Sequence, residues 1–544
     1  MKFRVLKKIV KMLYGLSSFN GKPFKFTYGL VDKKRRVSSD MPESTPIDRV
    51  TPESVGIETE YIDAYFRELK NTPEVVTHSL VVTKDGKLIA NYNTYPYDNK
   101  IWHTSFSMSK SVVGIAVGIA IDEGYMSIHD KIGDKVDFTL YGITPDPEVE
   151  KCTVRDLLTM TARVDYGEDG ALAEADWLKG FMQAGNKKGE GFRYNSMCTF
   201  VLAFLVSVST GRGFSEYVRE KLFEPLGIHR VYFEKNALGQ EKAGFGLLIL
   251  PEDMAKLGSL VLNGGVYDGK RIVSAEYIGQ MISVQAKVPE YVSRYDYGYQ
   301  TWCKDDGSVY MFNGMFGQNV FMFPHTGIVV AVTGGDNDMF HDNPIFDVTY
   351  KYFSDLAHHP DNFENESEKN AHASLLKQLN GNTYRFGKKA CRTGLMPIVS
   401  GVFQGNYPTG LKRITFNDDE MVVEEILDTH TVPLDDGARF VTEINGERYE
   451  IATRVSGDED RVEIKFHFLE LASTRTFIIR KVRDGIELKS TEAPGVGFLR
   501  NGQKMVLDAL KGKKFLSWLL SRRHKWLWKR VDKTLEPKLI GKIV

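Results

Sequence analysis

The sequence predicts an α+β domain followed by a small all-β domain, and three observations predict it. Strand-like runs stand at both ends of residues 46–360, whereas the stretch between them has helical periodicity. Terminal segments would then build one antiparallel sheet, covered by the middle of the chain. From Gly401 to about Leu499 the texture changes: R-I-T-F, M-V-V-E-E-I-L, V-E-I-K-F-H-F and T-F-I-I-R-K-V alternate with Gly, Asn and Asp turns. That pattern reads as a barrel or sandwich. The length of 544 residues also exceeds one ordinary domain.

The expected order follows. Residues 1–45 form a basic N-terminal segment and linker, with a polar lead-in at Val37–Pro52. Gly56–Leu69 is helical by periodicity. His78–Tyr92 reads as two strands joined at Lys84-Asp85-Gly86-Lys87, because Asp-Gly between β-rich runs is a strong hairpin signal. Residues 105–123 make the next helix. Thr153-Val154-Arg155-Asp156 has the form of a capping box, and Met197–Thr210 is an apolar helix stopped by Gly211. Ser308–Phe312, Gln318–Phe323 and Ile328–Thr333 are three successive strands, and Phe346–His358 closes the domain as a helix. A linker at 361–382, the all-β domain at 383–502 and a basic, Trp-rich segment at 503–544 complete the chain.

Composition is globular, with 42% hydrophobic and 26% charged residues and no net charge. Neutrality hides an asymmetry: residues 1–36 and 511–544 each hold eleven Lys/Arg, against one and two acids, so the body is acidic. Basic ends leave room for peripheral contact with an anionic membrane, although Arg522 and Lys529 interrupt the Phe515/Leu519/Trp526 face. Val112–Ile121 is too short to span a bilayer, and its Gly114 and Gly118 mark close helix packing in a core. A cleavable signal peptide is not favoured. Cys152, Cys198, Cys303 and Cys391 are scattered, so neither a disulfide framework nor a metal site is expected, and a cytoplasmic location follows as the expectation. No cofactor motif and no nucleic-acid module is present: G-x-S-x-G, a Walker A loop and H-E-x-x-H are all missing.

The chemistry lies in T-S-F-S-M-S-K-S, residues 104–111, where Ser107 and Lys110 stand three apart. Residues so spaced share a helix face, about 5–6 Å apart at Cβ. The first helical turn offers free backbone N–H groups and a positive dipole to a serine alkoxide. Burial would lower the lysine pKa and let it act as a base. Local sequence alone favours the plainer reading, in which Ser107 caps the helix and Lys110 extends to solvent. A second copy, Ser374–Lys377, falls in the expected linker and reads as a surface coincidence.

Three spaced elements decide between these readings. They are S-M-S-K-S-V-V-G-I-A-V-G-I-A-I-D-E-G (107–124), G-E-G-F-R-Y-N-S (189–196) and F-N-G-M-F-G-Q-N-V-F-M-F-P (312–324). In this order they resemble the penicillin-recognising serine hydrolases, a group that includes class C β-lactamases, D-alanyl-D-alanine peptidases, related esterases and 6-aminohexanoate-dimer hydrolases. The likeness covers about residues 50–355 and implies a β-lactamase-like fold for that part. It also implies roles. Ser107 would be the nucleophile that forms an acyl-enzyme, and Lys110 and Tyr194 the general base and acid. The backbone N–H groups of Ser107 and Met315 would form the oxyanion hole, while Ser196, Asn313 and Gly314 would face substrate and Gln318 is left a structural part. No metal or cofactor is implied. The family's Lys-Thr-Gly lysine is replaced by uncharged Asn313-Gly314, which favours a small ester or linear amide over a β-lactam or D-amino-acid peptide. Thr161–Arg163 and Gly189–Gly191 also depart from the family pattern and are expected at the pocket rim. A rival of another class is a catalytically inactive membrane-associated binding or scaffold protein.

Overall fold

A computed structural model of the chain describes residues 35–186, 189–337, 343–360, 374–387, 394–395, 410–426, 428–444, 446–495 and 536–544. The basic segments 1–34 and 496–535, Cys391 and most of the expected linker lie outside the described residues.

Seven antiparallel strands form the first sheet, in the order Lys87–Asn93, Thr77–Lys84, Ile328–Gly334, Gln318–Phe323, Tyr310–Gly314, Trp302–Cys303 and Asp296–Tyr297. The N-terminal hairpin thus pairs directly with the last strand, with Leu80 opposite Val332 and Val82 opposite Val330. Every residue of Gln318–Phe323 and Ile328–Gly334 is buried, because helices cover both faces. On one face, Gly258 of the Pro251–Leu262 helix approaches so closely that an added Cβ would lie 2.7 Å from Val320 and Val329. On the other, Phe321 and Phe323 meet Phe346 and Phe353 of the Pro344–Phe353 helix. That helix also bonds the Thr59–Asn71 helix through Tyr65 Oη and Thr349 Oγ1, 2.8 Å apart.

Between the sheet's terminal segments lies the helical region. The Ser109–Asp122 helix is buried from Ser109 to Ala120, which explains its lack of a polar face. Its glycines allow the tight packing expected of them: Gly114 faces the Tyr299 carbonyl and Gln300, and a Cβ on Gly118 would overlap the Tyr277 ring. The Thr153–Asp156 capping box forms as expected. No single helix among the described residues is long and apolar enough to cross a membrane.

The C-terminal part is a ten-stranded antiparallel sheet curled into a near-closed barrel around its own apolar core. Its strands alternate inward and outward residues, as in Arg461–Phe468 where every second residue is buried. Three expected boundaries change. Lys538–Ile543 is a barrel strand, paired between Thr383–Phe386 and Gly485–Ala493, so the barrel does not end at residue 502. Leu539 and Gly541 face inward and Lys538, Ile540 and Lys542 outward, the alternation of a barrel wall. The second S-x-x-K lies on the Ser374–Leu379 helix, whose Leu375 and Leu379 enter the barrel core. Residues 35–45 are no linker either. Arg35 is buried and donates to Glu470 Oε2 (2.7 Å), the Ser38 N–H donates to Glu470 Oε1 (2.8 Å), and the Thr45 N–H donates to the Gly227 carbonyl (2.8 Å). This segment fastens the barrel to the first domain.

Candidate active site

The chain leaves the His103–Thr104 strand and makes a 3-10 turn, Phe106–Met108, before the long helix begins at Ser109. Ser107 therefore stands on a tight turn just ahead of the helix, not inside it. Phe106 takes a left-handed conformation (φ 46°), a costly geometry for an aromatic residue and a mark of constraint at this turn. Ser105 does not cap the helix. Its hydroxyl donates across to the Leu247 carbonyl (2.8 Å), as its N–H does (2.9 Å). Ser109 donates back to the Phe106 carbonyl and Ser111 to that of Gln300, so neither hydroxyl shares the position of Ser107.

Lys110 is 1% exposed. Its ammonium nitrogen lies 2.9 Å from Ser107 Oγ and 2.6 Å from the Gly244 carbonyl oxygen. Burial lowers its pKa to about 7, with the Glu168 carboxylate the largest opposing influence. A lysine in this state exchanges its proton near neutrality. Tyr194 sits beside the pair, its ring centroid 5.0 Å from Lys110 Nζ and its hydroxyl hydrogen-bonded to Ser107. Burial holds that phenol protonated well above the ordinary range, and its bond to Ser107 opposes the shift. The ring is stacked on Trp302, centroids 5.9 Å apart, and edged by Tyr297. Asn195 orients the whole segment: Oδ1 caps the Ser196–Thr210 helix at the Met197 N–H (2.9 Å) and Nδ2 donates to the Tyr166 carbonyl.

The third element arrives from the sheet. Gly314, the last residue of its strand, lies against the serine turn: a Cβ there would overlap the Ser105 carbonyl and come within 3.2 Å of the Met108 nitrogen. The following residues, Met315–Gly317, form a turn whose Phe316 packs edge-on against Phe106, ring centroids 5.2 Å apart. Among the described residues no backbone acceptor takes the N–H of Ser107 or of Met315. Gln318 shapes this turn from below, as its Nε2 bonds the carbonyls of Met315 (3.3 Å), Phe316 (2.9 Å) and Gly334 (2.8 Å). Asn313 donates to Asn319 Oδ1 at 2.7 Å and stays partly exposed. Ser196 is 3% exposed, and its N–H donates to Glu168 Oε1 at 2.8 Å.

Ser107, Lys110 and Tyr194 thus converge on one point, with Gly314 packed against the serine turn. Three contributors carry no sequence signal of their own. Gly244 acts through its carbonyl, Glu168 is one acid among many, and Gln300 is a buried residue at φ 56° that accepts from Thr199 and donates to the Leu157 and Leu158 carbonyls. The expected rim loops do meet: Arg163 Nη1 donates to the Glu190 carbonyl at 3.0 Å. Outside this site, Glu425, Asp428 and His430 in the barrel bring ligand-type atoms within 4.8 Å of one another, and Glu425 there already accepts the Leu395 N–H and faces His430 at 3.3 Å.

A model of the Beta-lactamase family matches residues 62–343. The chain is 26% identical over 289 residues to a 6-aminohexanoate-dimer hydrolase of Paenarthrobacter ureafaciens, covering 47% of this chain and 72% of the relative. Among solved structures, an octameric penicillin-binding protein homologue from Pyrococcus abyssi aligns with 79% of this chain and 96% of its own (21% identity, TM-score 0.42). A penicillin-binding protein from Bacillus halodurans aligns with 54% and 98% respectively (18% identity, TM-score 0.42).

Proposed function

The chain belongs to the Beta-lactamase family, and from that premise we propose that it is a serine hydrolase cleaving a small ester or linear amide through an acyl-enzyme on Ser107. One observation carries this reading: a lysine buried to 1% exposure, with its pKa lowered to about 7, directly bonded to a serine hydroxyl. In its neutral form Lys110 takes the Ser107 proton as Oγ bonds to the substrate carbonyl carbon. The oxyanion is received by the N–H groups of Ser107 and Met315, each donor of this type being worth about 3 kcal/mol of barrier. Tyr194, held protonated, delivers a proton to the leaving oxygen or nitrogen and is reprotonated from Lys110. Water then attacks the ester carbonyl in the reverse sense and frees Ser107. Asn313, partly exposed, lines the approach, whereas Ser196, 3% exposed, does not.

The substrate preference rests on charge. Asn313 and Gly314 stand where the related enzymes place a lysine, so the strand supplies no cation for a substrate carboxylate. A fluorophosphonate is expected to label Ser107, and p-nitrophenyl esters to be turned over by the wild type and not by Ser107→Ala. Absence of both would return the reading to a binding protein. A persistent mass adduct on Ser107 after incubation with penicillin would instead favour a β-lactamase or D-amino-acid peptidase. A second prediction concerns the close approach of the sheet. Gly314→Ala must push the serine turn and the Met315 turn apart, so kcat should fall at least about tenfold and stability by about 1–3 kcal/mol. Ester kinetics and a urea titration check both.

A further inference from the structure

The two halves of this site share a support that comes from the other domain. The Thr104 N–H, three residues before Ser107, donates to the main-chain carbonyl of Glu470 at 2.9 Å. Glu470 belongs to the barrel loop between the strands Arg461–Phe468 and Thr474–Val482. Two residues on, the Ala472 carbonyl oxygen lies 2.6 Å from where a Cβ of Gly335 would stand. Gly335 continues the strand whose Gly334 carbonyl accepts from Gln318, the side chain that shapes the Met315 turn. One short loop therefore touches the lead-in to the nucleophile on one side and the foot of the oxyanion turn on the other.

The loop is itself rigidly seated. Glu470 is 1% exposed, and its carboxylate accepts from Arg35, from the Ser38 N–H and from the Trp102 indole. Arg35, also buried, donates besides to the Arg448 carbonyl at 2.8 Å. A buried, multiply bonded ion pair is weak evidence for net stability, but it tolerates little displacement, because moving one partner strands the other's charge. Such a pair is suited to fixing position.

We propose that the C-terminal barrel is a working part of the catalytic site, its Leu469–Ser473 loop fixing the spacing between the Ser107 turn and the Met315 turn. Glu470 is then a positioning residue for acylation. The proposal rests on the serine hydrolase reading of Ser107. Small displacements of reacting groups are costly: about 1 Å can cost on the order of 100-fold in rate. Spacing of the oxyanion donors governs the transition state more than the bound substrate, so the loss falls on kcat and spares KM.

The test uses the full-length chain. Glu470→Gln is expected to lower kcat for a p-nitrophenyl ester about tenfold or more with KM within about twofold. Amide hydrogen exchange should quicken at residues 103–107. Gly335→Ala, whose Cβ presses on the Ala472 carbonyl and on the His78 ring without altering the ion pair, is expected to give the same split. Ile479→Val, in the barrel core away from the loop, should leave kcat unchanged. A folded Glu470→Gln with kcat within twofold of wild type overturns the proposal, as does an equal loss in Ile479→Val. If Glu470→Gln does not fold, Gly335→Ala is judged by the same criterion. A wild type without ester turnover would defeat the hydrolase reading instead, and the exchange rates at 103–107 would still report whether the loop holds this segment.

Discussion

Lys110→Met is expected to lower kcat/KM about 1000-fold and, at the same time, to make the protein harder to unfold at neutral pH. The two effects share a cause. Burial moves the lysine from 10.5 to about 7, which corresponds to roughly 5 kcal/mol of strain on the charged form. The sign follows from linkage. The unfolded lysine is protonated below about 10.5, while the folded one gives up its proton down to about 7. As pH falls through this window the unfolded state binds more protons, so the stability present above 10.5 is lost and the full cost applies below 7. Methionine removes that cost, keeps much of the volume, and gives back part of the gain because the Gly244 carbonyl loses its partner. Catalysis needs the opposite. Without the amine the partner left to Ser107 is the Tyr194 phenol, which burial holds protonated and unable to take the proton, and a positioned base contributes about 100–10000-fold. In the wild type, kcat/KM should rise with pH to a plateau with a midpoint near 7. A rate profile and a urea titration on both proteins read the two effects together; a Lys110→Met enzyme of near-normal rate would remove the lysine from the mechanism.

The candidate site was legible in proportion to how much of it is carried by side chains on regular elements. Ser107 and Lys110 show a fixed spacing, the Ser109–Asp122 run is apolar throughout, and Tyr194 precedes an Asn that caps a helix. The structure brings all three together. Main-chain contributions left no trace in the sequence. The Glu470 carbonyl that anchors Thr104 is a main-chain group with no side-chain signature, and Gly244, whose carbonyl anchors Lys110, is set by packing, since a Cβ there would lie 2.8 Å from the Ser196 carbonyl oxygen. In the all-β part, period-two alternation predicts strands but is common to barrels and sandwiches, so closure into ten strands was not readable. The strand Lys538–Ile543 was masked by its charge: Lys538 and Lys542 face outward, and only Leu539 enters the core.

Acidification from pH 7 to about 4 is expected to weaken the junction between the barrel and the first domain before either core unfolds. Three histidines meet there. His78 Nδ1 lies 3.1 Å from His103 Nε2, and the His78 ring is stacked on Tyr97, centroids 3.6 Å apart. The Tyr97 hydroxyl in turn lies 3.4 Å from Nδ1 of His467, a barrel residue, and 3.3 Å from Thr474 Oγ1. In the His78–His103 contact one nitrogen must donate and the other accept, so a further proton would set two donors face to face. Burial pushes His103 down to about 4 and His467 to about 3, and holds His78 well below its ordinary value with the neighbouring imidazoles adding to the shift. Lys465 and Arg454 depress His467 further. An unfolded or undocked histidine takes up its proton near 6.5, whereas His103 does not until about 4 and His467 until about 3, and His78 is held down in the same direction. The separated state therefore binds more protons as pH falls, and the stabilisation present above 6.5 is lost by the time the folded values are reached. For His103, 2% exposed, the shift is worth on the order of 3 kcal/mol. Hydrogen exchange at Leu469–Thr474 should accelerate between pH 6 and 4.5, after correction for intrinsic rates, and the first urea transition should move to lower denaturant. His103→Asn, which cannot titrate, should flatten that slope. A first transition that holds its midpoint from pH 7 to 4.5 would show that the junction does not depend on neutral imidazoles. Because this junction is also where the barrel loop meets Thr104, the same pH range should show a fall in acylation rate steeper than titration of Lys110 alone produces.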